Sequence, residues 1–311
     1  MSIIKREVTS PELTRKSAKI AAMLSKPVKG KFGSKLSILV LRYAIGKLYR
    51  SVPKADGVKF SKVMLAGTKA ILAESNGGST SRDIIVYIHG GAFISGSAAA
   101  TKGYASALAR RSGCRTYSIE YTLSPEVLFP VAFDECLNAI DALAGDDPDS
   151  NITLIGDSAG GNFSLALAMK RKDKISCVIL HSPVIDFSDT IDRLKYAPDS
   201  PVAKNGLKNF FAKLYIGGHD AADPRISPFW GDYEDLPPVF ITCDKDEVLY
   251  ADALYVYEKC KEYGIKAEMV VMDGAFHAFA TVGEATPETA KLLDDYIAFM
   301  KDVNISHKIK Q

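Results

Sequence analysis

A short glycine-rich segment places one serine where it could act as a nucleophile. Gly156-Asp-Ser-Ala-Gly160 has the spacing G-x-S-x-G, follows the apolar run Ile152–Ile155 directly, and leads at once into a helical pattern. A strand that turns sharply into a helix crowds the backbone around the central residue, and glycines relieve that crowding while the serine stays exposed. The spacing and its context therefore predict that Ser158 is a nucleophile.

A serine hydroxyl needs a base to remove its proton, and the chain has five histidines. His277 follows an apolar run and comes after the serine in the chain, as expected for a base that serves such a turn. His181 also follows an apolar run and is the main alternative, for which a structural role is favoured. The remaining three lie in a glycine-rich loop, a turn and a polar tail: His89, His219 and His307. We expect His277 to be the base.

The carboxylate that orients the base is expected after a strand, between the serine and the histidine in the chain. The apolar run Val239–Thr242 leads into Cys243-Asp-Lys-Asp-Glu247, and Asp252 lies within the helical pattern that follows. Position alone leaves Asp244 and Asp246 as equal candidates.

The negative charge that forms on the attacked carbonyl oxygen needs hydrogen-bond donors. His89-Gly-Gly-Ala-Phe93 follows the fully apolar run Ile84–Ile88, and its small residues leave backbone N–H groups accessible to a ligand. We expect Gly91 and Ala92 to donate, with Gly90 as the hinge of this oxyanion loop, and Ala159 to supply a third N–H group.

The elements that position these residues alternate along the chain. β-Branched runs alternate with amphipathic patterns, which is typical of a mostly parallel sheet with helices on both faces. Ligands of such α/β folds bind at the carboxyl ends of the strands. The predicted strands are Val63–Leu65, Ala70–Ala73, Ile84–Ile88, Arg115–Glu120, Ile152–Ile155, Cys177–Leu180, Val239–Thr242 and Ala267–Met272, and the predicted helices are Pro130–Leu143, Asn162–Lys172, Leu249–Tyr263 and Pro287–Met300.

Several motifs over roughly residues 80–300 resemble a known family. His89-Gly-Gly-Ala-Phe93 resembles the H-G-G-G-F loop, and Gly156-Asp-Ser-Ala-Gly-Gly-Asn162 the G-D-S-A-G-G-N turn, of the hormone-sensitive-lipase-like branch of the α/β-hydrolase fold esterases. Tyr121-Thr-Leu-Ser-Pro-Glu126 is similar to its Y-R-L-A-P-E segment. The family places its acid in a D-x-L-type motif after a strand, and this motif aligns with Asp246-Glu-Val-Leu249. The resemblance thus implies that Asp246 is the acid.

The chain departs from the family pattern at two positions. Thr122 replaces the arginine of Y-R-L-A-P-E, which is expected to change how Glu126 is held, and Ala92 replaces the third loop glycine. Alanine keeps its backbone N–H, so the oxyanion loop is expected to remain functional. The resemblance implies hydrolysis of short acyl esters, acetyl to about hexanoyl, through an acyl-enzyme. An amidase or acyltransferase of the same fold, or a non-catalytic small-molecule receptor, are the alternatives.

The resemblance implies a helical cap over the pocket, which the first 52 residues and an insertion near 186–215 are expected to form on a catalytic domain of residues 53–311. Apolar residues recur at helical spacing in this region, at Leu36, Leu39, Val40, Tyr43, Ala44 and Leu48. Packing on the body of the same chain is the favoured interpretation, with a membrane surface or an oligomer contact as alternatives.

Composition excludes several classes of protein. The 311 residues are 47% apolar and 24% charged, with a net charge of +2, which does not indicate nucleic acid as a partner. No signal peptide or membrane span is recognisable, so we expect a cytoplasmic protein without stable membrane insertion. The five scattered cysteines indicate neither disulfides nor zinc. We expect no cofactor and no metal, a small-molecule ester as substrate, and a homodimer as an open alternative.

Overall fold

The computed structural model of the chain describes residues 2–16, 35–200, 203–204, 206–207 and 211–310. Within these ranges, nine strands form one sheet in the order β1-β9-β8-β7-β6-β4-β5-β3-β2. The pairs β2/β3 and β3/β5 are antiparallel, and the other neighbours are parallel. The strands are β1 (Ser2–Glu7), β2 (Val58–Leu65), β3 (Thr68–Ser75), β4 (Ile84–Ile88), β5 (Arg115–Glu120), β6 (Ile152–Asp157), β7 (Ile175–His181), β8 (Val239–Asp244) and β9 (Ala267–Asp273).

Helices cover both faces of this sheet. The long helices are α1 (Lys35–Arg50), α2 (Lys102–Ser112), α3 (Val131–Asp146), α4 (Ala159–Lys170), α5 (Tyr250–Glu262) and α6 (Pro287–Lys310). Side chains of α3, α4 and α5 join one apolar core, and side chains of α2 and α6 join another on the opposite face. The α/β class and the mostly parallel sheet expected from the sequence are confirmed.

The central strands are apolar along their whole length because both of their faces are covered. Every residue of β4, β6, β7 and β8 is buried. A strand that alternated polar and apolar residues would place polar groups against one of the two helix layers, where they would lack water. Their carboxyl ends lie at one edge, and the segments that carry the predicted site residues begin there.

The first residues of the chain differ from the predicted helical cap. Ser2–Glu7 form the edge strand β1, which pairs in parallel with β9, so the sheet itself begins in the region assigned to the cap. Residues 11–16 are helical, and α1 is the predicted amphipathic helix. Four of the apolar residues expected to pack on the body, Leu36, Leu39, Val40 and Tyr43, are exposed instead, because the helix is fixed through its other face. Ile4 and Val8 pack against the core between the sheet and α6. This contact favours a strand over a helix, although the polar residues of the segment conceal the apolar pattern of a strand in the sequence.

The insertion near 186–215 contains little regular structure among its described residues. Arg193–Lys195 form a 3-10 turn and Ala212–Ile216 a π-helical turn. Residues 201–202, 205 and 208–210 of the insertion lie outside the described residues. Arg193 is buried and its guanidinium donates to both carboxylate oxygens of Asp252 at 2.7 Å, which ties the insertion to α5.

None of the helices described is long and apolar enough to cross a lipid bilayer.

The edge strand is held at its end by one carboxylate of α6. Glu288 accepts hydrogen bonds from the Thr9 N–H at 2.9 Å and from the Ser10 hydroxyl at 2.7 Å. Burial of Glu288 opposes ionisation, but these donors outweigh it and lower the pKa of Glu288 from its ordinary 4.5 to about 2. The stabilisation is therefore complete above pH 4.5 and is lost as the pH falls towards 2.

We expect Glu288→Gln to loosen β1. Amide hydrogen exchange of residues 2–10 should become faster at pH 7, while exchange in β6 stays unchanged, because the lost hydrogen bonds are local. The wild type should approach the variant's exchange behaviour between pH 4.5 and 2. Glu12→Gln, at an exposed carboxylate nearby, is the control, and equal effects of the two substitutions would contradict this role of Glu288.

Candidate active site

Ser158 occupies a strained turn between β6 and α4. Its backbone has φ 54° and ψ −115°, a conformation that L-residues rarely adopt. Hydrogen bonds fix this geometry, since the Ser158 N–H donates to the His181 carbonyl at 2.9 Å and the Asn162 N–H donates back to Ser158 at 3.1 Å. A Cβ at Gly160 would lie 1.9 Å from the Ile88 carbonyl oxygen. Only glycine therefore fits where the turn approaches β4.

A buried carboxylate lies directly beside the serine. Asp157 is 1% exposed and accepts from the hydroxyls of Tyr49 and Tyr87, each at 2.6 Å, and from the Gly90 N–H at 2.9 Å. Burial and the neighbouring carboxylate raise the pKa of both tyrosines well above its usual range, so the hydroxyls stay protonated as donors. Asp157 thus joins α1, β4 and the predicted oxyanion loop to the serine turn.

The predicted oxyanion loop holds three consecutive residues in the left-handed region: Gly91 at φ 116°, Ala92 at 58° and Phe93 at 61°. The loop closes on itself because the N–H groups of Ile94 and Ser95 donate to the Gly91 carbonyl. The N–H groups of Gly91 and Ala92 donate to none of the residues that the structure describes. Gly90 differs, since its N–H is already bonded to Asp157. As the first residue of α4, Ala159 has an N–H without an intrahelical acceptor.

Aromatic rings pack against the Phe93 side chain of this loop. Phe93 is buried and stacks on Tyr215 with ring centroids 3.8 Å apart and an interplanar angle of 5°. Phe163 of α4 and Phe187 of the insertion also contact the Phe93 ring, with centroids at 5.0 and 5.8 Å. The strained backbone of the loop is therefore anchored by a fully packed side chain.

His277 is paired with Glu247 and not with the predicted Asp246. The Glu247 Oε2 lies 2.5 Å from the His277 Nδ1, and the Glu247 side chain is 5% exposed. The Asp246 side chain is 74% exposed and its nearest cation is Lys245 at 3.8 Å. The sequence-based assignment of Asp246 is thus corrected: the turn after β8 directs Asp246 towards solvent and the next residue towards the histidine.

Two further groups fix the Glu247 carboxylate. Its Oε1 accepts from the Ser182 hydroxyl at 2.6 Å and from the Asp244 N–H at 3.0 Å. The Ser182 oxygen also accepts from the Ala278 N–H at 3.0 Å, next to the histidine. The Asp244 carboxylate accepts from the Ala275 N–H at 2.7 Å. Asp244, the other candidate from the sequence, therefore holds the histidine loop and does not contact the imidazole.

The charge of Glu247 governs the protonation of His277. Burial alone would lower the pKa of His277, but the Glu247 carboxylate outweighs it by charge and hydrogen bonding, so the pKa is raised above its usual 6.5. A hydrogen bond from Nδ1–H to Glu247 leaves Nε2 unprotonated and able to accept a proton. This is the tautomer that a general base needs.

Two of the other histidines are buried among structural contacts. His181 is fully buried between the Tyr104 hydroxyl at 2.7 Å and the Thr242 hydroxyl at 2.9 Å, and burial lowers its pKa to about 3. His89 is buried against Tyr121, and burial lowers its pKa as well. His219 is exposed on a turn, and the His307 side chain lies outside the described residues.

An arginine of helix α1 holds Glu126 in this chain, which has Thr122 at the arginine position of Y-R-L-A-P-E. Arg42 pairs with both carboxylate oxygens of Glu126 at 2.7 and 2.6 Å, and also donates to the carbonyls of Ile94 at 2.7 Å and Ser124 at 2.9 Å. Glu126 is thus held by an arginine from a different part of the chain. The same guanidinium fixes the end of the oxyanion loop.

Sequence reasoning missed Glu247, Ser182, Tyr49 and Arg42. A signal existed for Glu247, because it stands two residues before Leu249, the spacing of a D-x-L motif, with glutamate in place of aspartate. Nothing in the local sequence distinguishes the other three, whose partners lie 65 to 108 residues away. Within the described ranges, no group of three or more His, Cys, Asp or Glu is arranged to hold a metal ion.

Comparisons with known proteins identify the family of this chain. Residues 85–281 match the sequence model of the alpha/beta hydrolase fold. This chain belongs to the α/β hydrolase fold family. It is 30% identical to the protein named acetyl-hydrolase LipR of Mycobacterium tuberculosis, over 84% of this chain and 86% of that protein. It is 28% identical to an esterase of Acinetobacter venetianus, over 85% and 89% of the two chains.

A solved structure extends the likeness to three dimensions. A crystallised esterase of the bacterial hormone-sensitive lipase family superposes with a TM-score of 0.83 at 25% identity, covering 96% of this chain and 99% of that one. The resemblance to the hormone-sensitive-lipase branch of α/β hydrolases, drawn from the H-G-G and G-D-S-A-G-G-N motifs, is confirmed.

Glu247→Gln tests which carboxylate serves His277. The amide cannot stabilise the imidazolium, and it can present an N–H that favours the wrong tautomer, so we expect kcat for p-nitrophenyl acetate to fall by about 10²–10⁴. Asp246→Asn is the matched control and should change kcat less than about twofold. The reverse order of the two effects would restore Asp246 as the acid.

The pH profile supplies a second readout of the same pair. Because Glu247 raises the pKa of His277, the acid limb of wild-type kcat/KM should lie above pH 6.5, where the free base becomes populated. The residual activity of Glu247→Gln should show an acid limb shifted to lower pH, since burial then acts without the opposing charge. An unshifted limb would separate Glu247 from the titration.

Tyr49→Phe tests the link between α1 and the serine turn. The substitution leaves one oxygen of the buried Asp157 without its donor, and we expect a loss of about 1–3 kcal/mol in the free energy of unfolding. We also expect kcat to fall several-fold with KM little changed, because Asp157 also positions Gly90. Tyr263→Phe, at a half-exposed ring, is the control. A stability loss without any change in kcat would limit Tyr49 to a structural role.

Proposed function

We propose that this chain is a serine carboxylesterase that hydrolyses short-chain acyl esters, acetyl to about hexanoyl, through an acyl-enzyme. Ser158 is the nucleophile, His277 the base and Glu247 the acid that orients it. Ester hydrolysis is supported by the relatives named esterases. The observation that carries the residue roles is the Glu247–His277 pair, 2.5 Å apart, at the same sheet edge as the strained Ser158.

In the first half of the reaction, the Ser158 hydroxyl oxygen attacks the ester carbonyl carbon while its proton passes to the His277 Nε2. Glu247 stays ionised and stabilises the imidazolium that results. The tetrahedral intermediate collapses, the C–O bond to the alcohol breaks, and the alcohol leaves with the proton from His277. The acyl group remains on Ser158 as an ester.

In the second half, water replaces the alcohol. His277 takes a proton from the water as the water oxygen attacks the acyl carbon. The second tetrahedral intermediate then collapses, the bond between the acyl carbon and the Ser158 oxygen breaks, and His277 returns its proton to that oxygen as the carboxylic acid leaves. The same base therefore serves both halves, and the two half-reactions balance without a cofactor.

The oxyanion of both intermediates is stabilised by backbone N–H groups. Gly91, Ala92 and Ala159 are the donors we assign, since their N–H groups are not taken up by the loop or the helix. Gly90 keeps the role of hinge expected from the sequence, because its N–H already binds Asp157. Donors fixed in advance cost no reorganisation when the charge forms.

The short-chain preference is supported by the name of the acetyl-hydrolase relative. A non-catalytic receptor is disfavoured because His277 and its carboxylate are both present and paired. An amidase or acyltransferase differs only in the leaving group or acceptor. The cytoplasmic location stays a prediction, and the homodimer stays an open alternative.

Hydrolysis of p-nitrophenyl esters of increasing length tests the proposal. We expect kcat/KM to be highest for acetate or butyrate, lower for octanoate and lowest for palmitate. Ser158→Ala should lower the rate at least about a thousandfold, because the nucleophile is gone. Ser61→Ala, at an exposed serine of β2, is the control. Activity that survives in Ser158→Ala would refute the serine mechanism, and a palmitate optimum would refute the chain-length range.

A further inference from the structure

Helix α1 exposes one continuous stripe of side chains. The stripe has an apolar part, Leu36, Leu39, Val40 and Tyr43, which are 59–71% exposed, and a basic part, Lys47 and Arg50. These positions follow the spacing i, i+3, i+4, i+7, i+11 and i+14, which keeps them on one face of a helix. Large apolar side chains exposed together mark a surface that binds something. We call these six residues the α1 stripe.

The opposite face of α1 is fixed to the body of the protein. Ile38 packs with Ile94 of the oxyanion loop, Arg42 pairs with Glu126, and Tyr49 bonds to Asp157. Because these contacts hold the helix in one rotation, the α1 stripe cannot turn inward without breaking them. Its exposure is therefore a fixed feature of the described structure.

Positive charge is concentrated in the part of the sequence that contains this helix. Residues 1–50 contain 12 Lys and Arg but 2 Asp and Glu, whereas residues 51–311 contain 27 Lys and Arg and 35 Asp and Glu. The small overall net charge of +2 thus hides a basic amino-terminal region of about +10 joined to an acidic body of about −8. No carboxylate of the described residues lies within ion-pair distance of Lys47 or Arg50.

We propose that the α1 stripe docks the protein on a lipid bilayer that carries anionic headgroups. The four apolar side chains enter the boundary between headgroups and acyl chains, and Lys47 and Arg50 lie at the phosphates. Tyr43 suits this depth because its ring is apolar and its hydroxyl reaches water. The helix lies on the membrane and does not cross it.

The distribution of charge favours a bilayer over a second copy of the chain. Two copies joined through the α1 stripe would place Lys47 and Arg50 of both copies at one interface without a carboxylate partner from the stripe, and their repulsion would oppose the contact. A nucleic acid would neutralise the charge but would leave Leu36, Leu39 and Val40 in water. An anionic bilayer satisfies both the charged and the apolar part of the stripe.

Docking would bring the oxyanion loop close to the lipid surface, since Ile38 and Arg42 contact it from the buried face of α1. An ester dissolved at that surface would then reach Ser158 over a short path. Binding itself needs no turnover, so it can be tested independently of the proposed esterase function.

Co-sedimentation of the full-length protein with sucrose-loaded vesicles measures this binding. The vesicles contain phosphatidylcholine either alone or with 30 mol% phosphatidylglycerol, at about 50 and 500 mM NaCl. We expect the wild type to sediment with the anionic vesicles at low salt, and at least about tenfold more weakly with neutral vesicles or at high salt.

Two paired substitutions separate the apolar and the basic contributions. Leu39→Gln with Val40→Gln should weaken partitioning about tenfold or more, because two apolar side chains no longer enter the bilayer. Lys47→Gln with Arg50→Gln should weaken binding to anionic vesicles and reduce its salt dependence. Met64→Gln and Lys261→Gln, at an exposed apolar and an exposed basic residue elsewhere, are the matched controls. Thermal melting confirms that each variant is folded.

Two results would overturn the proposal. One is a wild type that does not sediment with anionic vesicles, or that sediments equally well after both stripe substitutions. The other is a wild-type dimer, seen by analytical ultracentrifugation without lipid, that Leu39→Gln with Val40→Gln converts to a monomer, because the α1 stripe would then be a subunit interface. The Ser158→Ala variant should lose ester hydrolysis and still bind the vesicles, so a failure of vesicle binding can be distinguished from a failure of the proposed esterase function.

Discussion

The hydrogen bonds to the buried Asp157 carboxylate are the constraint on which the site depends. A carboxylate out of water is costly unless its oxygens are satisfied, and here two tyrosine hydroxyls and the Gly90 N–H supply the donors. These donors come from α1, β4 and the oxyanion loop, and Asp157 is the chain neighbour of Ser158. The cost of burying one charge therefore forces three separate segments to assemble around the nucleophile.

This assembly lets the chain hold strained backbone where the chemistry needs it. Ala92, Ser158 and Ser182 all have φ between 48° and 58°, in the left-handed region that non-glycine residues avoid. Each conformation is fixed by contacts nearby. The ring of Phe93, the residue after Ala92, stacks on Tyr215. Backbone hydrogen bonds hold Ser158, and the Ser182 hydroxyl is bonded to Glu247 and to the Ala278 N–H. Strain of this kind persists only where the surroundings over-determine it.

The sequence allowed the prediction of the elements whose signals are local. Continuous apolar runs identified the central strands, and G-x-S-x-G between a strand and a helix located Ser158. The edge strand β1 was not predicted, because an edge position tolerates polar residues and its six residues lack a long apolar run. Asp246 and Glu247 differ by one position in a turn, and only the path of the backbone decides which carboxylate faces His277.

Contacts between distant segments were beyond the reach of local patterns. The loss of arginine at Thr122 suggested that Glu126 would be held differently, but not that Arg42, 84 residues earlier, would replace it. Helical spacing predicted the amphipathic character of α1. It could not show which side chains would be buried, because that depends on where the helix meets the sheet.

The buried contacts of α1 also decide how this helix can act during turnover. Lifting it from the body would leave the Asp157 oxygen bonded to Tyr49 without that donor, separate Glu126 from Arg42, and release the Ile94 carbonyl. An unpaired buried carboxylate oxygen alone costs about 1–3 kcal/mol or more, and the other losses add to it. The described helix therefore behaves as a fixed wall of the site. Its outward stripe can engage a surface without the catalytic residues having to move.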